Sequence, residues 1–253
     1  MLWRKAWLES RLRFWVGVAI MIGASSLGVL FHDPVRSFLA TGTSPLDSYP
    51  WYICRILYQG FGRTLFMSFA FLLGLGGLLR ERELGTAGFT LALPISRERL
   101  VATRAIVGWV QVAGLAVAPS IVVVALSPLV GRTYPVAQAL LFSVLWLAGG
   151  SALYAVAFFA SAMFAGEYTG FMAAWVVMFG HTVTTQFVRL RYPASNRYLF
   201  TVQEMMSGFR MWYFDPAAHV LIPPFPVAIV LALAAFTTAL VMAAVLWTGR
   251  CDL

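Results

Sequence analysis

Ser207, Asp215 and His219 place a nucleophile, an acid and a base of the types used in acyl transfer within one short stretch of the chain. A working triad needs those side chains to converge on a serine held at a strand-turn-helix corner. Pro216 breaks the helical spacing here and no such corner surrounds Ser207, so no hydrolase site is expected. The histidines His32, His181 and His219 are scattered, with no pair at ligand spacing, and no metal site is expected either. His32 beside Asp33 reads as a hydrated loop pair. A phosphate-binding loop of the form GxxxxGK(S/T) needs a lysine that reaches the terminal phosphates. Lys5 is the only lysine and no such glycine pattern precedes it, so the chain has no nucleotide site of that kind.

The richest polar pattern is RERELGTAGFTLALPISRERLVATR, residues 80–104, set between two long apolar runs. Leu84, Ala87 and Leu91 share one helical face, and Thr86 can cap a short helix. Pro94 ends it, because the residue before a proline is pushed out of the helical region. Ser96 can then cap the next helix, with Glu98 favourable in its first turn. Gly85 and Gly88 let another surface come close. A helix this short is marginal in water and must pack against something.

The elements that hold this segment follow from composition. The chain of 253 residues is 60% hydrophobic and 11% charged, where soluble domains carry about 25% charged residues. A membrane span needs about 20 mostly apolar residues, because a helix satisfies its own backbone polar groups in lipid. Six runs qualify: Phe14 to Phe31, Thr64 to Leu79 with a start as early as Ile56, Ala105 to Val130, Val136 to Ala165, Thr169 to Val188, and Pro226 to Trp247. An even count puts both termini on one side. With the N-terminus inside, Arg4, Lys5, Arg11, Arg13, Arg80, Arg82, Arg97, Arg99, Arg104 and Arg250 fall in short cytoplasmic pieces, as the positive-inside rule requires.

The fold class is therefore all-α: a polytopic membrane helix bundle of six transmembrane helices, both termini cytoplasmic, with a short amphipathic helix between spans 2 and 3. One transmembrane domain covers 1–253. Residues 1–13, with Trp3, Trp7 and Phe14 on one side and Arg4, Lys5 and Arg11 able to reach lipid phosphates, read as an interfacial helix or as a plain aromatic and basic anchor. Residues 80–104 form the cytoplasmic loop. Residues 189–225 form an outer aromatic loop, either an interfacial or re-entrant helix roofing an exit path or an ordinary aromatic-belt loop. Small residues at helical spacing, Ala70, Gly74 and Gly77, Ala19 and Gly23, and Ala235, Ala239 and Ala243, predict close helix packing. Cys54 and Cys251 fall on opposite sides, which excludes a disulfide between them. The net charge of +8 is spread over the ends of apolar runs, which argues against nucleic-acid binding.

Within this topology the loop meets either lipid headgroups or a partner protein. A helix that only lies on an anionic membrane carries few acids, whereas Glu81, Glu83 and Glu98 alternate here with Arg80, Arg82, Arg97 and Arg99. Mixed charge favours a specific protein interface. Glu167, in the turn between spans 4 and 5, is a second contact of the same kind or a solvated turn residue. His181, inside the fifth run, either makes a hydrogen bond in helix packing or faces a transport pathway.

The segment ERELGTAGFTLALPISRERLVATR resembles the cytoplasmic loop of type-2 ABC transporter permeases: acidic residues, Gly-Thr, a leucine-rich turn, Leu-Pro-x-Ser and a basic residue. Glu81, Glu83, Gly85, Thr86, Leu91, Leu93, Pro94, Ser96 and Arg97 match, and the six-span order fits over nearly the whole chain. Leu84 departs from the pattern, where an acidic or polar residue often sits, and so does Gly88 in the next turn. The abundance of Arg and the compact loops fit a bacterial inner membrane, and the resemblance implies a permease subunit of an ATP-driven exporter. It implies a coupling helix docked on a separately encoded ATPase subunit, present in two copies and holding the ATP and Mg, and a second permease copy, identical or similar, beside this one. The chain itself then binds no cofactor and is not an enzyme. The rival readings are a membrane scaffold or assembly factor without transport, and an intramembrane enzyme, for which the spans offer little but hydroxyls and His181.

Overall fold

The structure, a computed structural model, describes residues 2–34, 48–75, 96–164, 167–194 and 199–250. Its elements are α1 (Leu2–Leu30), α2 (Tyr49–Ile53), α3 (Phe61–Gly74), α4 (Arg97–Leu126), α5 (Val136–Met163), α6 (Glu167–Arg191), α7 (Val202–Ser207), the strands β1 (Phe214–Asp215) and β2 (Val220–Leu221), and α8 (Val227–Arg250). Six helical stretches are long and apolar enough to cross a membrane: α1, α2 with α3, α4, α5, α6 and α8. The chain is an integral membrane protein.

The first helix runs unbroken from Leu2 to Leu30. Residues 2–13 are helical and run without a break into the first apolar stretch. No proline or glycine interrupts the chain before Gly17, so nothing breaks the ladder of backbone hydrogen bonds at that boundary.

The second span begins well before Thr64, at Tyr49. Ser48 caps α2 by accepting from the Trp51 N–H, a π-helical turn covers Cys54–Tyr58, and α3 restarts after Gly60. A Cβ on Gly60 would lie 2.6 Å from the Arg55 carbonyl oxygen, so only glycine fits between the end of one helical piece and the start of the next. Three tyrosines of this stretch are satisfied inside the bundle. Tyr49 shares a hydrogen bond with Ser127 (2.7 Å), Tyr52 donates to the Gly28 carbonyl (2.8 Å) and Tyr58 shares one with Ser120 (3.0 Å). Cys54 is fully buried in this helical stretch rather than in an outer loop.

Helix α5 is the centre of the bundle. It packs against α3, α4, α6, α7 and α8, and 72% of its most apolar window is buried against 17% for α6 and α8, which lie at the edge. Trp146 stacks on Phe66, and Tyr58 stacks on Phe142 with ring centroids 4.2 Å apart. Ala70 is fully buried, and Gly74 lets α3 meet the α5 backbone: a Cβ there would come within 2.6 Å of the Tyr154 carbonyl. Of the spaced alanines of the last span, Ala243 is half-buried but the first two do not pack. Ala235 and Ala239 face outward, and α8 buries Thr237, Ala244, Val245 and Thr248 instead. Small residues four apart mark a face without saying which way it points, and here the threonine side turns inward. Gly23 likewise has no neighbour close to its would-be Cβ.

Residues 199–225 close one end. The β1–β2 hairpin, paired Phe214 to Leu221 and Asp215 to Val220, lies over the start of α5, and helix α7 packs on α5 at Gly149, near its middle. Gln138 bonds both ways with the Leu221 backbone at 2.8 Å. The aromatic segment thus holds a short helix and a hairpin.

Candidate functional site

The flanks of the interrupted loop come together at the end of the bundle that carries Leu2. Arg13 of α1 donates through Nη1 to the carbonyls of Leu75 (2.6 Å) and Leu72 (3.2 Å), where α3 ends. Those carbonyls belong to the last turn of a helix, where backbone acceptors lack intrahelical partners and a cation is favoured by the helix dipole. Ser161 of α5 adds a donor to the Gly74 carbonyl at 3.3 Å.

One turn earlier on α1, Glu9 pairs with Arg104 of α4 at 2.8 Å and with Lys5 at 3.7 Å. Ser10 accepts from the Gln111 amide at 2.8 Å. Glu9, Ser10 and Arg13 lie on adjacent turns, so one polar side of α1 reaches both the end of α3 and the start of α4. Gly249, at the end of α8, lies against the Glu98 side chain, which brings the last span to the same corner.

Of the residues singled out in the loop, Ser96 and Arg97 are described. Ser96 is the N-cap of α4, its hydroxyl accepting from the Arg99 N–H at 3.3 Å, and Arg97 opens the helix with Glu98 in the first turn. Glu81, Glu83, Gly85, Thr86, Leu91, Leu93 and Pro94 lie outside the described residues. Glu167 is the first residue of α6, and its side chain is also outside them. His181 lies on the exposed side of α6 and makes no hydrogen bond among the described residues.

A second polar cluster lies at the opposite end. Arg189, near the end of α6, holds Glu204 of α7 with two parallel bonds, Nη1 to Oε1 at 2.7 Å and Nη2 to Oε2 at 2.8 Å. Its Nε and Nη2 also donate to the Leu199 carbonyl. Glu204 closes a capping box with Thr201, accepting from the Thr201 N–H at 2.9 Å while its own N–H donates to the Thr201 hydroxyl at 3.2 Å. Arg63 of α3 donates to the Gln203 carbonyl at 3.2 Å. Burial pushes the Glu204 carboxyl up, but the bonds from Arg189 and Thr201 more than offset that and hold it below its ordinary value. The cluster ties α6 to the cap through a buried ion pair and α3 through the Arg63 hydrogen bond.

The Ser207, Asp215 and His219 side chains form no triad. Ser207 donates to the Glu204 carbonyl, Asp215 accepts from the N–H groups of Ala217 and Ala218 in the hairpin turn, and the His219 ring sits edge-on to Trp51. His32 differs from a hydrated loop residue: it is buried against the rings of Tyr49 and Tyr52, while its Asp33 partner is exposed. Among the described residues, no group of three histidine, cysteine or acidic side chains could hold a metal ion. Sequence reasoning missed the Glu9, Ser10 and Arg13 face and the Arg189–Glu204 pair. The one usable signal was Glu9, an acid lodged among Arg4, Lys5, Arg11 and Arg13. Comparison with protein-family models, with curated proteins and with solved structures yields no match.

Proposed function

We propose that this chain is the membrane-spanning permease subunit of an ATP-driven ABC transporter, an exporter of a bacterial inner membrane, coupled to a separate ATPase through the loop between its second and third spans. The single observation that supports the reading is the way the two flanks of that loop are tied. Arg13 holds the end of α3 and Glu9 holds the start of α4, both from one side of α1. A push on the loop is therefore delivered to three spans at once instead of being absorbed by fraying helix ends. Packed helices respond to such a push by small rigid shifts.

In this reading Glu81, Glu83, Gly85, Thr86, Leu91, Leu93, Pro94, Ser96 and Arg97 carry the contact with the ATPase, with Glu167 as a second contact. ATP and Mg are bound by the ATPase, in two copies, and a second permease copy completes the transporter.

The test is purification of the tagged chain from its native membrane in a mild detergent, beside its Glu83→Ala and Gly85→Trp variants. The expected result is an ATPase subunit that accompanies the parent chain and is lost from both variants. A chain that purifies without any ATPase would move the reading to a membrane scaffold.

A further inference from the structure

Three nitrogen atoms with protons to donate and nothing to receive them lie at the junction of the second span, α5 and α7. They are Gln59 Nε2, Arg63 Nε and Trp146 Nε1, each buried and without a hydrogen-bond partner among the described residues. Buried donors in native proteins are almost always paired, so such a group calls for a partner from outside the chain. Gln59 is 9% exposed and Trp146 not at all, while Arg63 is half-buried and brings the group to the surface.

The fold draws the three together. Gln59 stands just before the Gly60 restart of the second span and Arg63 in the first turn after it. The Trp146 ring lies against Tyr58 and Phe66, on either side of that stretch, at centroid distances of 5.6 and 4.9 Å. Helix α7 stands over them: Arg63 Nη1 donates to the Gln203 carbonyl at 3.2 Å, and Val202 and Met206 lie against Gly149, one turn on from Trp146.

The chemistry is one-sided. Indole and guanidinium nitrogens only donate, and the amide nitrogen adds a further donor. Glu204, the acid that acts on the Arg63 charge, already accepts two bonds from Arg189 and two from Thr201. Arg63 and Arg189 thus share a single acid, and one positive charge is left over among the described residues of the junction. A water molecule could accept some of these bonds but would leave that charge uncompensated. An anion answers both needs. The donors reach in from two different spans, which suits the tetrahedral oxygens of a phosphate better than a flat carboxylate.

We propose that the junction of the second span, α5 and α7 is a binding site for one phosphate group, held by the Gln59, Arg63 and Trp146 donors. The group is the phosphodiester of a lipid or a free phosphate, and the experiment separates the two. The site goes beyond the permease reading and does not depend on it.

The test is the thermal midpoint of the purified full chain, washed free of lipid in a maltoside detergent at constant ionic strength. A ligand that binds the folded chain raises its midpoint. Phosphatidylglycerol should do so if the source is a lipid, and inorganic phosphate alone if the source is soluble. Diacylglycerol, which has the chains without the phosphate, should not. Gln59→Leu removes a donor that has no partner to lose, and Trp146→Phe keeps an aromatic ring against Phe66 while removing the N–H. Each should weaken the apparent affinity about tenfold or more, as loss of one hydrogen bond to a charged group does. Arg132→Gln, which removes an exposed charge from the same end of the bundle, should leave the affinity unchanged. A midpoint that neither phosphate source moves overturns the proposal. So does a shift that diacylglycerol reproduces, or one that Gln59→Leu and Trp146→Phe leave intact. No step needs ATP or an ATPase, so the permease reading stands or falls separately.

Discussion

The Arg13 guanidinium lies 2.6 Å from the Leu75 carbonyl oxygen, so the first span caps the end of the second. A hydrogen bond from a charged donor to an otherwise unpaired helix-end carbonyl contributes about 1.5–3 kcal/mol. Arg13→Ala should therefore lower the thermal midpoint in detergent and, on the permease reading, should reduce transport more than ATPase binding. Arg13→Lys, which keeps the charge but not the paired geometry, should fall between. Wild-type transport in Arg13→Ala would show that the clamp does not carry the coupling.

Glu9 and Arg104 should be energetically coupled. The Arg104 side chain is only 9% exposed and that of Glu9 is 38% exposed, so the pair stands between a surface bridge and a buried one. A double-mutant cycle of Glu9→Gln and Arg104→Gln should give a coupling of about 1 kcal/mol, measured by chemical unfolding in micelles. Additive single effects would mean that solvent screens the pair.

Glu204→Gln should be the costlier change, because it leaves Arg189 buried and without its carboxylate. Breaking one partner of a buried pair costs about 3–5 kcal/mol, whereas replacing both partners with apolar residues is far milder. Arg189→Leu with Glu204→Leu should accordingly be more stable than Glu204→Gln alone.

The same pair should respond to acid. The Glu204 carboxyl in the folded protein titrates below its ordinary 4.5. Its contribution is thus complete above that value and is lost as the pH falls through the lower folded value. The thermal midpoint of the parent chain should exceed that of Glu204→Gln at pH 7, and the gap should narrow at pH 3. A gap that stays constant over that range would contradict the assignment.

Gly74→Ala should destabilise more than Gly149→Ala. The added methyl at Gly74 meets the Tyr154 backbone carbonyl, which cannot move without shifting α5, whereas at Gly149 it meets the flexible Met206 side chain. Overpacking against fixed atoms costs about 1–3 kcal/mol. Equal losses in the two variants would mean that the helices slide apart freely.

The six-helix plan was legible in the amino-acid sequence because the cost of bare backbone groups in lipid demands long apolar runs, and such runs show in composition alone. The Ser96 cap was legible for a related reason: a serine just before a helix and its first-turn acid act within a few residues of chain. Tertiary structure decided whatever depends on who stands opposite. The second span reaches back to Tyr49 only because Ser120, Ser127 and the Gly28 carbonyl satisfy its tyrosines. Ala235 and Ala239 face outward, while the bundle accepts Thr237, Ala244 and Thr248 on the other side. Glu9 with Arg104, Arg13 with Leu75 and Arg189 with Glu204 join different spans or a span and the cap, and periodicity along one helix says nothing about register across two.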